Sequence, residues 1–222
     1  MPKKKVYRKK RKIRWGRILF LLVFLYVLFV GAKFIVSLFD STPTAAGQQR
    51  TSAISTKVKN LEPKIQIELK KYNLEQHSDL LLALIQQESR GEGTDPMQAS
   101  ESAGLKPNTI DNVDWSIQQG IKHFNTVVKY GTNKQVDFPT IVQSYNMGKG
   151  YIDFIAENGR THTEQLAKQF SEIQVKKQPD VYTCKGDKEN FRYPYCYGDF
   201  TYTTKVMEKY DALTEEKQVV QR

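Results

Sequence analysis

Residues 18–39 read ILFLLVFLYVLFVGAKFIVSLF, 22 residues with one charge, Lys33. About 20 apolar residues in a helix span a bilayer's hydrocarbon, and a helix satisfies its own backbone polar groups there. Lys33 lies near the distal end, where its stem can snorkel toward the interface. Ten cations precede the run: Lys3, Lys4, Lys5, Arg8, Lys9, Lys10, Arg11, Lys12, Arg14 and Arg17; the first acid is Asp40. The positive-inside rule keeps such a tail in the cytoplasm and places the chain beyond Asp40 outside. A cleavable signal peptide has an apolar region of about 7–15 residues, and residues 44–46 (TAA) make a poor cleavage site, so a retained anchor is expected. The small, polar stretch STPTAAGQQRTSAIST at 41–56 reads as a linker. The expected organisation is a basic cytoplasmic tail at 1–17, a single transmembrane helix at 18–39, a linker at 40–56 and one extracellular domain at 57–217.

The formal charge of +10 resembles that of a nucleic-acid binder until it is located. Beyond the tail, the remaining 24 Lys and Arg are matched by 24 Asp and Glu. A groove that follows phosphates needs a basic excess on the folded part, so no nucleic-acid partner is expected. Three His (His77, His123, His162) without ligand spacing, and no H-E-x-x-H, give no metal site. No phosphate-binding glycine loop or G-x-S-x-G element is present, so no cofactor is expected. Cys184 and Cys196 are close enough in sequence to form a disulfide in an oxidising compartment. Nothing in the sequence points to a protein partner.

From residue 57 onward, helical periods dominate. Pro63 opens a helix carrying Ile65, Leu69 and Tyr72. Ser78 is the expected cap of a second helix at 79–90, stopped by Gly91. Asp114 is the expected cap of a third, striped by Ile117, Ile121, Phe124 and Val128. Short helices are expected at 136–146 and 150–158, a capping box at Thr161 and Glu164 before a helix at 166–173, and a last helix through Val206, Tyr210 and Leu213. Aromatics at every second position from Phe191 to Tyr197 suggest an edge strand, with Pro194 limiting its pairing.

The second helix carries the chemistry. Leu81, Leu84, Ile85 and Glu88 share one face, so the last member of an apolar stripe is an acid. Desolvation and the negative end of the helix dipole both raise the pKa of a carboxyl placed there, which makes Glu88 a proton donor near neutral pH. Cleavage of a glycosidic bond needs such a donor. The loop after it supplies Asp95, Gln98, Ser100, Glu101 and Ser102, donors and acceptors for hydroxyl and acetamido groups.

Three ordered blocks, ALIQQESRG at 83–91, DPMQASES at 95–102 and VQSYNMG at 142–148, resemble the bacterial lysozyme-like branch of the goose-type lysozyme and lytic transglycosylase superfamily. That branch occurs in cell-surface proteins and in wall hydrolases of conjugative elements. The resemblance implies a mainly α-helical lysozyme-like domain with a cleft for peptidoglycan. It implies that Glu88 is the general acid at the bond between N-acetylmuramic acid and N-acetylglucosamine, and that Asp95 is the second catalytic candidate. Gln98, Tyr145 and Asn146 match the family's sugar-site positions, and Ser100 and Glu101 join them as candidate substrate contacts. The family pattern Gly-Leu-Met-Gln reads Asp-Pro-Met-Gln here, which leaves the role of Asp95 open. As a base, Asp95 would support hydrolysis, with carboxyls about 6.5–9.5 Å apart for inversion and about 5–5.5 Å for retention. Without a base, attack by the muramic 6-hydroxyl gives an anhydro product. The resemblance favours a membrane-tied muramidase, with a lytic transglycosylase or a non-catalytic wall-binding scaffold as the alternatives.

Overall fold

The computed structural model of the protein describes residues 54–220. The expected tail (1–17) and anchor (18–39), and the linker up to residue 53, lie outside the described residues. Among those described, no helix is long and apolar enough to cross a membrane. The described residues include three that precede the expected boundary at 57. Ile54 is fully buried, and the Ser55 hydroxyl accepts from the Val58 amide to cap the first short helix, α1 (Thr56–Lys59).

Seven further helices follow: α2 (Glu62–Lys70), α3 (Ser78–Glu88), α4 (Val113–Lys134), α5 (Phe138–Met147), α6 (Lys149–Glu157), α7 (Glu164–Lys177) and α8 (Tyr202–Val220). The domain is all-helical among the described residues. Residues 191–197 form turns with a cis Tyr193–Pro194 bond instead of the expected strand. Among the described residues this segment has no partner strand, and its aromatics divide between core and solvent. Phe191 and Tyr193 are exposed, whereas Tyr195 and Tyr197 pack against the second core.

Helix α3 is the axis. Leu80, Leu81, Leu82, Ala83, Leu84 and Ile85 are each at most 2% exposed. A helix apolar on all sides is a helix surrounded by others. Helix α8 packs along its length, and α1 and α2 also contact it. The 22-residue α4, about 33 Å long, lays Ile117, Ile121, Phe124 and Val127 into the same core, with Val128 half-buried at the edge of the stripe. A second cluster joins Met147, Tyr151 and Ile155 to Ala167, Phe170 and Phe200. Between α5 and α6 the chain turns at Gly148, whose φ of +73° is a conformation that favours glycine.

Three caps differ from expectation. A 3-10 turn at Glu75–His77 leads into α3, so Ser78 is already helical, and its buried hydroxyl has no hydrogen-bond partner. Asn112, not Asp114, caps α4 by accepting from the Trp115 amide, while Asp114 pairs with Lys64. Thr163, not Thr161, caps α7. At α4 and α7 the residue in extended geometry just outside the helix takes the role, and sequence spacing alone does not settle which of two neighbours that is; at α3 the preceding His77 is not extended and makes no side-chain capping bond.

Candidate active site

Helix α3 ends at Glu88, two residues before the expected stop, because Arg90 and Gly91 both take positive φ. Ser89 ties the next segment to the helix end. Its hydroxyl donates to the Pro96 carbonyl (2.8 Å) and accepts from the Gly91 amide (3.0 Å). The loop then dives inward at Met97, which is fully buried and whose amide donates to the Ser116 hydroxyl oxygen (3.1 Å). Only glycine at position 120 of α4 leaves room for it, since a Cβ there would lie 2.6 Å from the Met97 sulfur.

Asp95 organises this loop. Its Oδ1 accepts from the Ala99 amide (2.9 Å) and the Ser116 hydroxyl (2.7 Å), and its Oδ2 from the Ser100 amide (3.1 Å) and hydroxyl (2.6 Å). The residue is 4% exposed. Burial alone would raise its pKa, but the bonds from Ser100, Ser116 and the two amides outweigh it and hold the carboxyl below its usual value. Ser100 is 1% exposed, donates to Asp95 and accepts from the Thr109 and Ile110 amides. Both residues lie behind the cleft wall rather than on it.

A cleft of about 600 Å³ opens beside the end of α3. Of the sequence-designated residues, Glu88, Gln98, Glu101, Tyr145 and Asn146 line it; Asp95 and Ser100 do not. Gln98 is exposed, with a φ of +46°, and its side-chain amide donates to the Asp95 carbonyl (3.1 Å). Tyr145 is nearly buried, and its hydroxyl donates to the Met97 carbonyl (3.0 Å), locking α5 to the loop. The Asn146 side-chain oxygen accepts from the Asp199 amide (2.7 Å). His123 Nε2 donates to the Tyr145 carbonyl (3.1 Å); burial holds the ring below its usual pKa and thus neutral.

Glu88 is half-buried at the cleft floor. The Tyr202 hydroxyl donates to its Oε1 at 2.5 Å. Desolvation pushes its pKa up to about 7; the Tyr202 bond works against this, and the charges of Asp95 and Asp199 add to it. Asp199 stays ionised: burial would raise its pKa, but bonds from Lys205 and Thr201 hold it low. Tyr202 favours the ionised form of Glu88. Tyr202→Phe is therefore expected to move the Glu88 midpoint in a ¹³C NMR titration to higher pH, and an unchanged or lower midpoint would refute that role.

The opposite wall was not legible in the sequence as site residues. Tyr182, Arg192, Tyr197 and Gly198 line the cleft from the segment between α7 and α8. Cys184 and Cys196 are joined in a disulfide, as the sequence led us to expect, and this closes that segment into a loop. Such a closure is worth about 3 kcal/mol in the chain-entropy model. The Tyr197 hydroxyl donates to the Met147 carbonyl (2.9 Å), fixing the wall against the end of α5. The aromatic run at 191–197 was the available signal, but its spacing did not say which rings face the cleft. Tyr202 stands 114 residues from its partner Glu88, and nothing local marked it.

Among the described residues no group of three or more His, Cys, Asp or Glu could hold a metal ion.

The geometry is thus an acid with a raised pKa at the end of a buried helix, at the floor of a polar cleft. The model of the lysozyme-like family matches residues 55–210. The chain is 47% identical over 220 residues to the uncharacterized membrane protein YocA of Bacillus subtilis (strain 168), covering 96% of this chain and 94% of that one. It is 36% identical over 129 residues to the bifunctional muramidase/DL-endopeptidase CwlT of the same organism, covering 58% of this chain but 38% of CwlT. It is 41% identical over 114 residues to pneumococcal vaccine antigen A of Streptococcus pneumoniae, covering 51% of this chain and 56% of that protein. A crystal structure from Staphylococcus aureus subsp. aureus Mu50, described as similar to a lipoprotein of the NLP/P60 family, matches with a TM-score of 0.62 at 32% identity, over 70% of this chain and 53% of that one. The family match spans every helix that builds the cleft, from the cap of α1 into α8, and on that ground the chain belongs to the lysozyme-like family.

Proposed function

We propose that the protein is an N-acetylmuramidase that cuts the β-1,4 bond between N-acetylmuramic acid and N-acetylglucosamine in peptidoglycan. The observation that carries this reading is Glu88, a carboxyl held protonated up to about pH 7 and exposed to a polar cleft. Glu88 donates its proton to the glycosidic oxygen as the bond to the muramic carbon breaks. The positive charge that develops there is stabilised by the fixed negative charges of Asp95 and Asp199 nearby. Water then adds to the carbon, and its proton returns to the Glu88 carboxylate. Gln98, Glu101 and Asn146 hold the sugar hydroxyl and acetamido groups; Tyr145 keeps the loop against α5. The similarity to CwlT, whose name includes muramidase activity, supports the same reaction class for the shared region.

A second reading is favoured by one observation. Both oxygens of Asp95 are committed to internal donors, so acting as a base would cost it a buried hydrogen bond. Attack by the muramic 6-hydroxyl, giving an anhydro end, needs no such base. Digestion of purified wall by the full chain in detergent, followed by mass analysis, separates the two. Muramidase action leaves reducing muramic ends, whereas transglycosylation leaves ends lighter by one water. No fragments at all would refute both and favour a wall-binding scaffold.

The proposed setting is the outer face of the cell membrane, with 18–39 as a single span and 1–17 in the cytoplasm. Three things support it: the distribution of charge, a disulfide suited to an oxidising compartment, and a relative of matching length that is named a membrane protein.

A further inference from the structure

Arg192 is the one cation among the described residues that line the cleft. It forms no ion pair with any carboxylate among those residues. One guanidinium nitrogen donates to the Gly198 carbonyl at 3.3 Å, and the group lies 6.0 Å from the Phe191 ring centre. Its Nε is buried without a hydrogen-bond partner. A guanidinium has five N–H donors, and the protein engages one of them here. The disulfide closes residues 184–196, so the loop that carries Arg192 is tethered at both ends. A cleft built only for neutral sugars has no use for a fixed, uncompensated cation, and partial burial makes one costly unless a ligand supplies the counter-charge.

Resting on the glycan-cleaving reading above, we propose that Arg192 recognises a carboxylate carried by the muramic residue of the substrate. That carboxylate has two sources: the lactyl group itself on peptide-free strands, or a stem-peptide carboxylate on substituted ones. Either fits the planar fork of an arginine, which grips carboxylates with two parallel hydrogen bonds. Arg192 then sets specificity: it distinguishes muramic-acid glycans from neutral polymers of N-acetylglucosamine. Glu101, on the same cleft, is the internal competitor for Arg192.

Binding is measured by calorimetry with the full chain in detergent, carrying Glu88→Gln so that strands are held without cleavage. Peptide-free and peptide-bearing muramyl strands are each prepared with carboxylates free and with carboxylates converted to amides. The free form is expected to bind about tenfold more tightly than the amide, the effect of one charge-assisted contact. A preference seen with peptide-free strands assigns the lactyl group; one confined to peptide-bearing strands assigns the stem peptide. Adding Arg192→Gln should bring the ratio to about one, with Arg192→Lys in between. Equal affinity of the Glu88→Gln protein for free and amidated strands in both series overturns the proposal while leaving the glycan-cleaving reading intact, and needs no Arg192 variant. A ratio that Arg192→Gln leaves unchanged also overturns it, as when Arg192 serves only to tie Glu101 across the cleft. Failure to bind any strand would instead sink the underlying reading.

Discussion

Glu88→Gln is expected to lower the rate of glycan cleavage by about 10²–10⁴-fold, the range a positioned general acid contributes. Glutamine keeps the shape and the Tyr202 hydrogen bond but has no proton to give. The same carboxyl sets the alkaline limb of the wild-type profile. Activity requires the protonated form, so cleavage should fall as pH rises through about 7. The folded protein holds the Glu88 proton up to about pH 7, whereas the unfolded chain releases it near the ordinary value of 4.5. Between those values the native state binds more protons, so this residue's contribution to stability falls as pH rises, by up to about 3 kcal/mol once both states are ionised. The glutamine variant should therefore unfold at a higher temperature than wild type at pH 8 and lose that advantage near pH 4. Heat unfolding across that range, beside an assay of wall clearing, tests both halves. A variant that still clears wall at the wild-type rate would end the acid role.

Asp95→Ala is expected to damage the protein in a different way. It removes the acceptor of four donors at once: the Ala99 and Ser100 amides and the Ser100 and Ser116 hydroxyls. Leaving buried donors unpaired costs about 1–3 kcal/mol each, reduced where a hydroxyl can turn elsewhere, so a total of about 3–5 kcal/mol is reasonable. For a chain of this size that is a fall in melting temperature of roughly 10 °C. Asp95→Asn should lose less, since one amide oxygen still accepts while the amino group faces donors. Because the folded pKa of Asp95 lies below its unfolded value, its contribution is present above the unfolded pKa and is lost as pH falls through the folded one. The gap in stability between wild type and Asp95→Asn should therefore close in acid. Activity should fall as well, because Met97 and Gln98 stand only two and three positions after Asp95 in the loop it holds. The two variants are distinguished by stability at pH 8: Glu88→Gln gains and Asp95→Ala loses. An Asp95→Ala protein of wild-type stability would show that this carboxylate does not hold the loop.

Much of the site was legible in the chain. The i, i+3, i+4, i+7 stripe of Leu81, Leu84, Ile85 and Glu88 already places an acid at the end of a buried helix. The block order brought Gln98, Glu101, Tyr145 and Asn146 to its cleft. Asp95 and Ser100 looked alike with these as polar residues of one loop. The structure separates them, turning Gln98 outward to the cleft and Asp95 and Ser100 inward. Backbone direction in an irregular loop depends on what lies beneath it, here Ser116 and Gly120 of α4, and neither is near in sequence.

What the sequence by itself determined is the part governed by short-range regularity: a mainly helical domain, the apolar surroundings of Glu88, and a cysteine pair near enough to close a loop. Periodicity and local spacing encode these because neighbours along a helix are neighbours in space. Only the tertiary structure decided that Tyr202 clasps Glu88 from the last helix, that Asp95 faces inward, and that Arg192 lines the opposite wall. Those contacts join residues as far apart as 21 (Ser116 to Asp95) and 114 (Tyr202 to Glu88) positions through packing, and packing leaves no periodic mark on the chain.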